Sequence, residues 1–236
     1  MAAAAPPEAE FALPQPLADD ADFDKTANVV LVASDTKKRF LVSRAGLMRF
    51  SKLVRGLLES ADEDEPLPLD NPHYTEETVQ NFIVWVNKHA PSDVALTKIS
   101  YPLASGDLSA IFTDWDLQYI HKLLVPGGDM KQNKKLYFLA GLSVYLNVVI
   151  LQEMCCAYFA WHIRKATDDS KADGAPTATA VVRSWFGMDG DFTEDELKGI
   201  VEKYKWCRDV DYNQIEKDSE DAHDFATKFA AGGATA

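Results

Sequence analysis

The chain has 236 residues, of which 47% are hydrophobic, and its 37 acidic against 24 basic side chains give a net charge of −13 at pH 7 with His neutral. This length fits one or two domains, and the apolar fraction is sufficient for a buried core. Because nucleic-acid backbones and anionic membrane surfaces are bound by clustered Lys and Arg, the acidic balance argues against both as partners.

The N-terminal segment 1–27 is rich in Ala, Pro and acidic side chains, and residues 1–24 contain no Lys or Arg. Such a segment buries too little apolar area to offset the entropy lost on ordering, so we expect a disordered arm. It lacks the basic start and apolar run of a secretory signal. The longest apolar stretch, residues 136–151, falls short of the ~20 residues of a membrane span. These features predict a soluble intracellular protein.

The first patterned region predicts a β-hairpin followed by helix. Residues 29–32 are aliphatic and mostly β-branched, residues 34–38 have turn composition, and residues 40–42 are apolar again. Apolar side chains then recur at helical spacing over residues 45–58.

The next region predicts an edge strand and a capped helix. An acidic loop, residues 62–65, precedes Pro66-Leu67-Pro68-Leu69, and prolines are tolerated in a strand at the edge of a sheet. Thr75 can cap a helix whose apolar face spans residues 79–86 and which Pro91 ends.

The middle of the chain predicts a long loop over residues 91–112, a helix that begins at residues 113–116, and a strongly helical block over residues 133–163. Asn147 lies where one helix can end and the next be capped, so we expect two buried helices in this block. The element order, short strands with helices and then helices alone, predicts a mixed α/β domain with a helical extension.

The C-terminal region predicts a polar interruption at residues 165–178 and a short helix at residues 181–186. Thr193 and Glu196 form a capping box before a last helix that ends near Trp206.

Motifs typical of catalysis or of cofactor and metal binding do not occur in the sequence. The five His residues lack zinc-binding spacing, and the glycines form no phosphate-binding or nucleophile motif. The adjacent Cys155 and Cys156 point about 100° apart on a helix and cannot share a metal through one face. We therefore predict a binding module without cofactor or metal, not an enzyme. The aromatic-rich C-terminal helices favour a groove for a partner, although a plain helical core would also explain them.

Four stretches follow one another in a recognisable order. They are the hairpin segment 29–42, the stretch 62–69 with the helix that ends at residues 84–89, the segment 115–156, and Asp191-Phe192-Thr193-Glu194-Asp195-Glu196 with the closing pair Trp206-Cys207. Over residues 28–209 they resemble the S-phase-kinase-associated (Skp) family, the adaptor subunits of cullin–F-box ubiquitin ligases. The last stretch is the most specific and separates the chain from elongin C, which shares the first domain but lacks the final helices.

The resemblance implies an α/β fold in which a BTB/POZ domain, a short-stranded sheet with helices, is followed by C-terminal helices that bind an F-box. The domain organisation is then a disordered arm 1–27, a BTB/POZ domain 28–163 with an insert 91–112, an insert loop 164–178, F-box-binding helices 179–209, and a disordered acidic tail 210–236.

The resemblance also implies two partners, an F-box protein and a cullin. By position, the F-box side would consist of Leu136, Tyr137, Ala140, Cys156, Phe159, Phe192, Trp206 and Cys207. Val144 and Tyr145 would lie on the cullin side. Val144 replaces an Asn that is usual in the family, which removes a polar contact from that side. A homodimer of the free protein stays open.

The implied function is that of an adaptor in an SCF-type cullin-RING ubiquitin ligase, located in the cytoplasm and nucleus, that bridges the cullin N-terminal region and the F-box of a substrate receptor. The departure at Val144 leaves an alternative, a divergent paralogue that holds an F-box protein outside the ligase, for example at a kinetochore.

Overall fold

A computed structural model describes residues 11–18, 21–60, 66–103, 105–124, 132–171, 176–186 and 193–203, together with the single positions 217, 220, 221, 223 and 224. The predicted acidic loop 62–65, the expected helix end near Trp206 and nearly all of the predicted tail 210–236 lie outside the described residues.

A small sheet consists of β1 (Asn28–Val32), β2 (Arg39–Ser43) and β3 (Leu67–Pro68) in the order β2-β1-β3. β1 pairs antiparallel with β2, with Val30 opposite Leu41, and parallel with β3. Both the predicted hairpin and the predicted proline-containing edge strand are confirmed.

The described residues form eight α-helices and one short 3-10 helix at Leu108–Ala110. The α-helices are α1 (Arg44–Phe50), α2 (Lys52–Ser60), α3 (Glu76–His89), α4 (Asp114–Leu123), α5 (Lys134–Tyr145), α6 (Val149–Asp169), α7 (Ala178–Phe186) and α8 (Glu194–Lys203). The predicted mixed α/β class is confirmed.

Two helix boundaries differ from the sequence prediction. The helix expected over residues 45–58 is two helices, because Ser51 is extended and its hydroxyl donates to the carbonyl oxygen of Leu146 at 2.5 Å. α6 continues to Asp169, past the expected end at residue 163, so the predicted polar interruption is shorter. Ion pairs between residues four apart, such as Lys165 with Asp169, support the added turns.

The helix caps predicted at Thr75 and Thr193 are confirmed, whereas Asn147 does not cap the next helix, since the N-cap of α6 is Val148 and has no side-chain hydrogen bond. The hydroxyl of Thr75 accepts from the Thr78 amide, and Thr193 and Glu196 accept from each other's backbone amides as a capping box does. Asn147 separates α5 from α6 with a φ of 51°, a left-handed conformation that Asn tolerates better than most residues.

The core is a single cluster of apolar side chains between the sheet and the central helices α3, α5 and α6. Its largest fully buried members include Trp85 and Phe82 of α3, Tyr119 of α4 and Phe40 of β2. Within the part of the chain that the structure covers, no helix has the length and apolar character needed to cross a membrane.

Part of the N-terminal segment that was expected to be a disordered arm is packed on this domain. Phe11 is buried, and Leu17 forms an antiparallel bridge with Arg39 of β2. The prediction failed here because one aromatic side chain supplies the apolar area that the average composition of the segment does not indicate. Residues 1–10, 19 and 20 lie outside the described residues.

A buried carboxylate, Asp116, joins α3 and α4 to the long loop between them. Its Oδ1 accepts from Trp85 Nε1 at 3.2 Å and lies 3.0 Å from His89 Nε2, while its Oδ2 accepts from the hydroxyls of Thr97 at 2.5 Å and Thr113 at 2.9 Å. The loop predicted over residues 91–112 contains only the 3-10 helix as regular structure among its described residues, and Thr97 attaches it to the core through this carboxylate.

The charge of Asp116 is stabilised by the same contacts. Burial acts to raise its pKa, but the hydrogen bonds from His89, Thr97 and Thr113 and the charge of His89 together hold the pKa below the ordinary 3.8. Because the pKa is lower in the folded state, this carboxylate contributes stability above pH 3.8, and the contribution is lost as the pH falls through the folded-state pKa.

We expect Asp116→Asn to lower the free energy of unfolding at pH 7 by about 2 kcal/mol or more, because an amide NH₂ would meet donors where an oxygen now accepts. Urea unfolding at a series of pH values measures this, and the difference from wild type should shrink in acid. Asp114→Asn, an exposed position in the same helical turn, is the control and should cost less than about 1 kcal/mol. Equal losses in the two variants would show that the buried contacts do not carry the effect.

Candidate functional site

The candidate site is an exposed surface, not a cavity. One described cavity of about 450 Å³ lies between Leu13 and the beginnings of α3 and α5. Two of its acidic side chains are already paired: Glu76 with Lys38 at 3.0 Å and Glu77 with Lys135 at 2.7 Å. Among the described residues, no three or more His, Cys, Asp or Glu side chains come together as metal ligands would.

Helix α5 divides its apolar residues between the core and solvent. Its inner side buries Leu136, Leu139 and Leu142 completely. On its outer side Tyr137 is 55% exposed and Val144 is 56% exposed. A large apolar side chain in water is typical of a contact surface when several such residues occur on one element. We call Tyr137, Val144 and Tyr145 the α5 surface.

Tyr145, one of the two residues assigned by resemblance to cullin, is held in place from one side. Its ring lies 5.4 Å from the ring of Tyr74, and the Tyr74 hydroxyl donates to the carbonyl oxygen of Gly141 at 3.3 Å. Burial, and to a lesser degree Tyr145, raises the pKa of Tyr74, so its hydroxyl remains a donor at neutral pH. Val144 precedes Tyr145 and is also exposed to solvent. Both predicted cullin-side residues therefore lie on the surface, next to each other.

A second surface lies on α6, where it is joined by α7. Cys156 and Ile163 are exposed and Phe159 is half-buried, and their spacing puts all three on one stripe of the helix. Trp185 of α7 packs at the edge of the stripe, 5.8 Å from the Phe159 ring and 4.2 Å from the His162 ring. We call Cys156, Phe159 and Ile163, together with the buried Trp185 that packs on Phe159, the α6–α7 surface.

The structure places only part of the predicted F-box set on a surface. Tyr137 and Cys156 are exposed, and Ala140 and Phe159 are half-buried. Leu136 is a correction: its side chain is completely buried in the core, because it lies on the inner side of α5.

Three further members of the predicted F-box set, Phe192, Trp206 and Cys207, lie outside the described residues. The predicted residues that are described fall on both surfaces, since Tyr137 belongs to the α5 surface and Cys156 and Phe159 to the α6–α7 surface.

Sequence reasoning indicated the aromatic-rich C-terminal helices, which include Trp185, but did not identify Tyr74, His162 or Ile163 as residues that support these surfaces. Tyr74, His162, Ile163 and Trp185 all contact or extend them. The spacing of positions 156, 159 and 163 would have indicated a stripe that includes Ile163. Tyr74 has no comparable sequence pattern, because its contacts with Tyr145 and Gly141 of α5 form only in the folded structure.

The cysteine on the α6–α7 surface is suited to packing. Partial desolvation of the thiol by its neighbours, with the nearby carboxylate of Glu153, raises the pKa of Cys156, and full burial raises the pKa of Cys155 still further. Since the thiolate is the nucleophilic form, both side chains remain thiols at neutral pH. The surfaces therefore provide aromatic and aliphatic contact area.

We expect Trp185→Ala to raise the pKa of His162 toward its ordinary value of 6.5. Burial is the main cause that lowers this pKa and the charge of Lys165 is a smaller one. NMR titration of the imidazole measures the change. Lys165→Met is the matched comparison and should raise the pKa less. If Trp185→Ala left the pKa unchanged, α7 would not be what covers His162.

Comparison with known proteins gives one distant relationship. No protein-family profile matches the chain. It is similar to an S-phase kinase-associated protein 1 homolog of Tetrahymena thermophila, with 23% identity over 160 residues, which are 68% of this chain and 82% of that protein. The similarity indicates a distant Skp1-like relationship. With the small sheet and the helices around it, it supports a fold of the Skp1 type, which is BTB/POZ-like.

Proposed function

We propose that this protein is an adaptor subunit of an SCF-type cullin-RING ubiquitin ligase, which joins an F-box protein to the N-terminal region of a cullin. The observation that carries the proposal is the presence of two apolar surfaces, on α5 and on α6–α7, in a chain with a distant Skp1-like relationship. The site of action in this proposal is the cytoplasm and nucleus.

The F-box side of the proposal rests on the α6–α7 surface and Tyr137. A stripe of thiol, aromatic and aliphatic side chains at positions 156, 159 and 163 matches the way in which one helix face receives the apolar side of a partner helix. Phe192, Trp206 and Cys207 complete this side by resemblance. Aromatic anchors such as Trp206 commonly contribute much of the binding energy of an interface.

The cullin side of the proposal rests on Val144 and Tyr145. Tyr145 is braced by Tyr74, so little side-chain entropy is lost when a partner covers it. Val144 offers apolar area where the family usually has an amide. It therefore contributes to a cullin contact by burial and not by hydrogen bonding.

An adaptor with these two surfaces acts by positioning its partners relative to each other. It keeps the substrate receptor beside the catalytic subunits, so that ubiquitin transfer becomes effectively intramolecular. In this proposal the chain itself supplies contact area and no reacting group.

The direct test is assembly. The full chain is co-expressed with an F-box protein from the same organism, the matching cullin N-terminal domain is added, and complexes are separated by size exclusion. We expect a ternary complex. A binary complex with the F-box protein that excludes cullin would instead indicate a structural partner outside the ligase, and absence of both complexes would contradict the proposal.

Substitutions of the two exposed tyrosines of α5 distinguish the F-box side from the cullin side. Tyr137 and Tyr145 lie about 12 Å apart along the helix axis. We expect Tyr137→Ala to weaken F-box binding and leave cullin binding unchanged, and Tyr145→Ala to do the reverse, each measured by titration calorimetry. Because both variants remove the same side chain from one helix, each is the control for the other. Loss of both partners in either variant would show that the F-box side and the cullin side are not separate on α5.

We expect Trp206→Ala to weaken F-box binding by about 2 kcal/mol or more, as loss of an aromatic anchor does. Circular dichroism checks that the variant is folded. Lys52→Ala, an exposed position of α2 outside both proposed sides, is the control and should leave the affinity unchanged. A folded Trp206→Ala variant with wild-type affinity would remove this residue from the interface.

A further inference from the structure

Residues 11–18 lie across a surface formed by three elements of the domain. This surface consists of Trp115, Tyr119 and Lys122 of α4, Gln80 of α3 and Arg39 of β2. We call it the arm groove.

The first residue of the described segment is an aromatic anchor. Phe11 is 7% exposed, and its ring stacks on Trp115 with 5.2 Å between centroids and lies 6.5 Å from Tyr119. Trp115 and Tyr119 are themselves stacked at 5.3 Å, so Phe11 extends a row of rings that α4 already presents. Lys122 Nζ lies 4.9 Å from the centre of the Phe11 ring, which adds a cation–π contact.

The remaining polar contacts are made to the backbone of the segment. Lys122 donates to the carbonyl oxygen of Phe11 at 3.2 Å, and Gln80 donates to that of Pro14 at 2.9 Å. The Leu17 amide donates to the carbonyl oxygen of Arg39 at 2.7 Å, which adds a short antiparallel pairing to the outer side of β2.

The exposure of the segment shows which features the groove recognises. The side chains at positions 12, 13, 15 and 16 are exposed. One buried aromatic side chain, backbone carbonyls that accept from side chains of the domain, and pairing with an edge strand are the features of recognition of an extended peptide.

We propose that the arm groove is a docking site for an extended peptide that carries one aromatic anchor, and that its occupant is the segment 11–18 of the same molecule. The segment thereby covers the outer edge of β2 at its first residue, Arg39, where the strand would otherwise offer its backbone to another strand. Because a short stretch joins the segment to β1, its effective concentration at the groove is on the order of millimolar, and it outcompetes a free peptide.

The first experiment measures hydrogen exchange of the Leu17 amide in the full chain. We expect Phe11→Ala to speed this exchange about tenfold or more, because the pairing with Arg39 opens when the anchor is lost. Leu13→Ala is the matched control, since Leu13 is exposed, and exchange should stay within about twofold of wild type. Equal exchange in the two variants would overturn the proposal.

A second variant covers the case in which Phe11→Ala fails to fold. The double variant Lys122→Met, Gln80→Ala keeps Phe11 and removes both donors to the segment, and it should also speed exchange of the Leu17 amide. A folded double variant with wild-type exchange would overturn the proposal.

Dilution of the wild-type chain over about a hundredfold range tests whether the segment belongs to the same molecule, since an intramolecular contact is independent of concentration. Loss of protection on dilution would place the segment on a second copy and overturn the assignment to the same molecule.

The last experiment measures binding of the segment when it is added as a separate peptide. A fluorescent peptide of residues 8–20 should bind the full-length Phe11→Ala chain and bind the wild-type chain about tenfold or more weakly, because the wild-type groove is occupied. The same peptide with Phe11→Ala is the control and should bind neither chain. Equal binding of the two peptides, or no binding of the wild-type peptide to a folded Phe11→Ala chain, would overturn the proposal.

Discussion

The buried carboxylate of Asp116 connects parts of the domain that are separated in sequence. Four side chains, from α3, the long loop and the start of α4, converge on its two oxygens. A charge in this position is tolerated because both oxygens are hydrogen-bonded, and removal of any one partner would leave part of the desolvation cost uncompensated. The network fixes α4 against α3, and this placement sets out the row of rings on which Phe11 packs. The arm contact therefore depends on the polar core as much as on its own residues.

The division of α5 into two sides explains how one short helix contributes both to stability and to a binding surface. Leu136, Leu139 and Leu142 fill the core, and the outer side keeps apolar side chains in water. Residues outside α5 hold its C-terminal end in place: Ser51 donates to the carbonyl oxygen of Leu146, and Tyr74 packs on Tyr145. A partner that binds Val144 and Tyr145 would meet a surface that is already ordered, which lowers the entropic cost of association.

The proposed adaptor role and the proposed arm groove use different parts of the molecule. The adaptor surfaces lie on α5, α6 and α7, and the groove lies on α3, α4 and the outer edge of β2. A segment that pairs with an open strand edge limits unwanted pairing of the sheet, which matters in a protein that also exposes apolar side chains on α5 and α6.

Elements whose signals are local could be predicted from the amino-acid sequence. The hairpin, the edge strand, the caps at Thr75 and Thr193 and the break at Asn147 follow from β-branching, proline, side-chain capping and left-handed backbone preference, and these act within a few residues. The Skp-like motif order likewise indicated the fold class. Features that long-range packing controls became apparent only in the folded arrangement. It showed that Leu136 faces the core while its neighbour Tyr137 faces solvent. It also showed that Asp116 is buried and that residues 11–18 lie on the domain. In each case the deciding contact joins residues that are distant in sequence, and no local pattern reports such a contact.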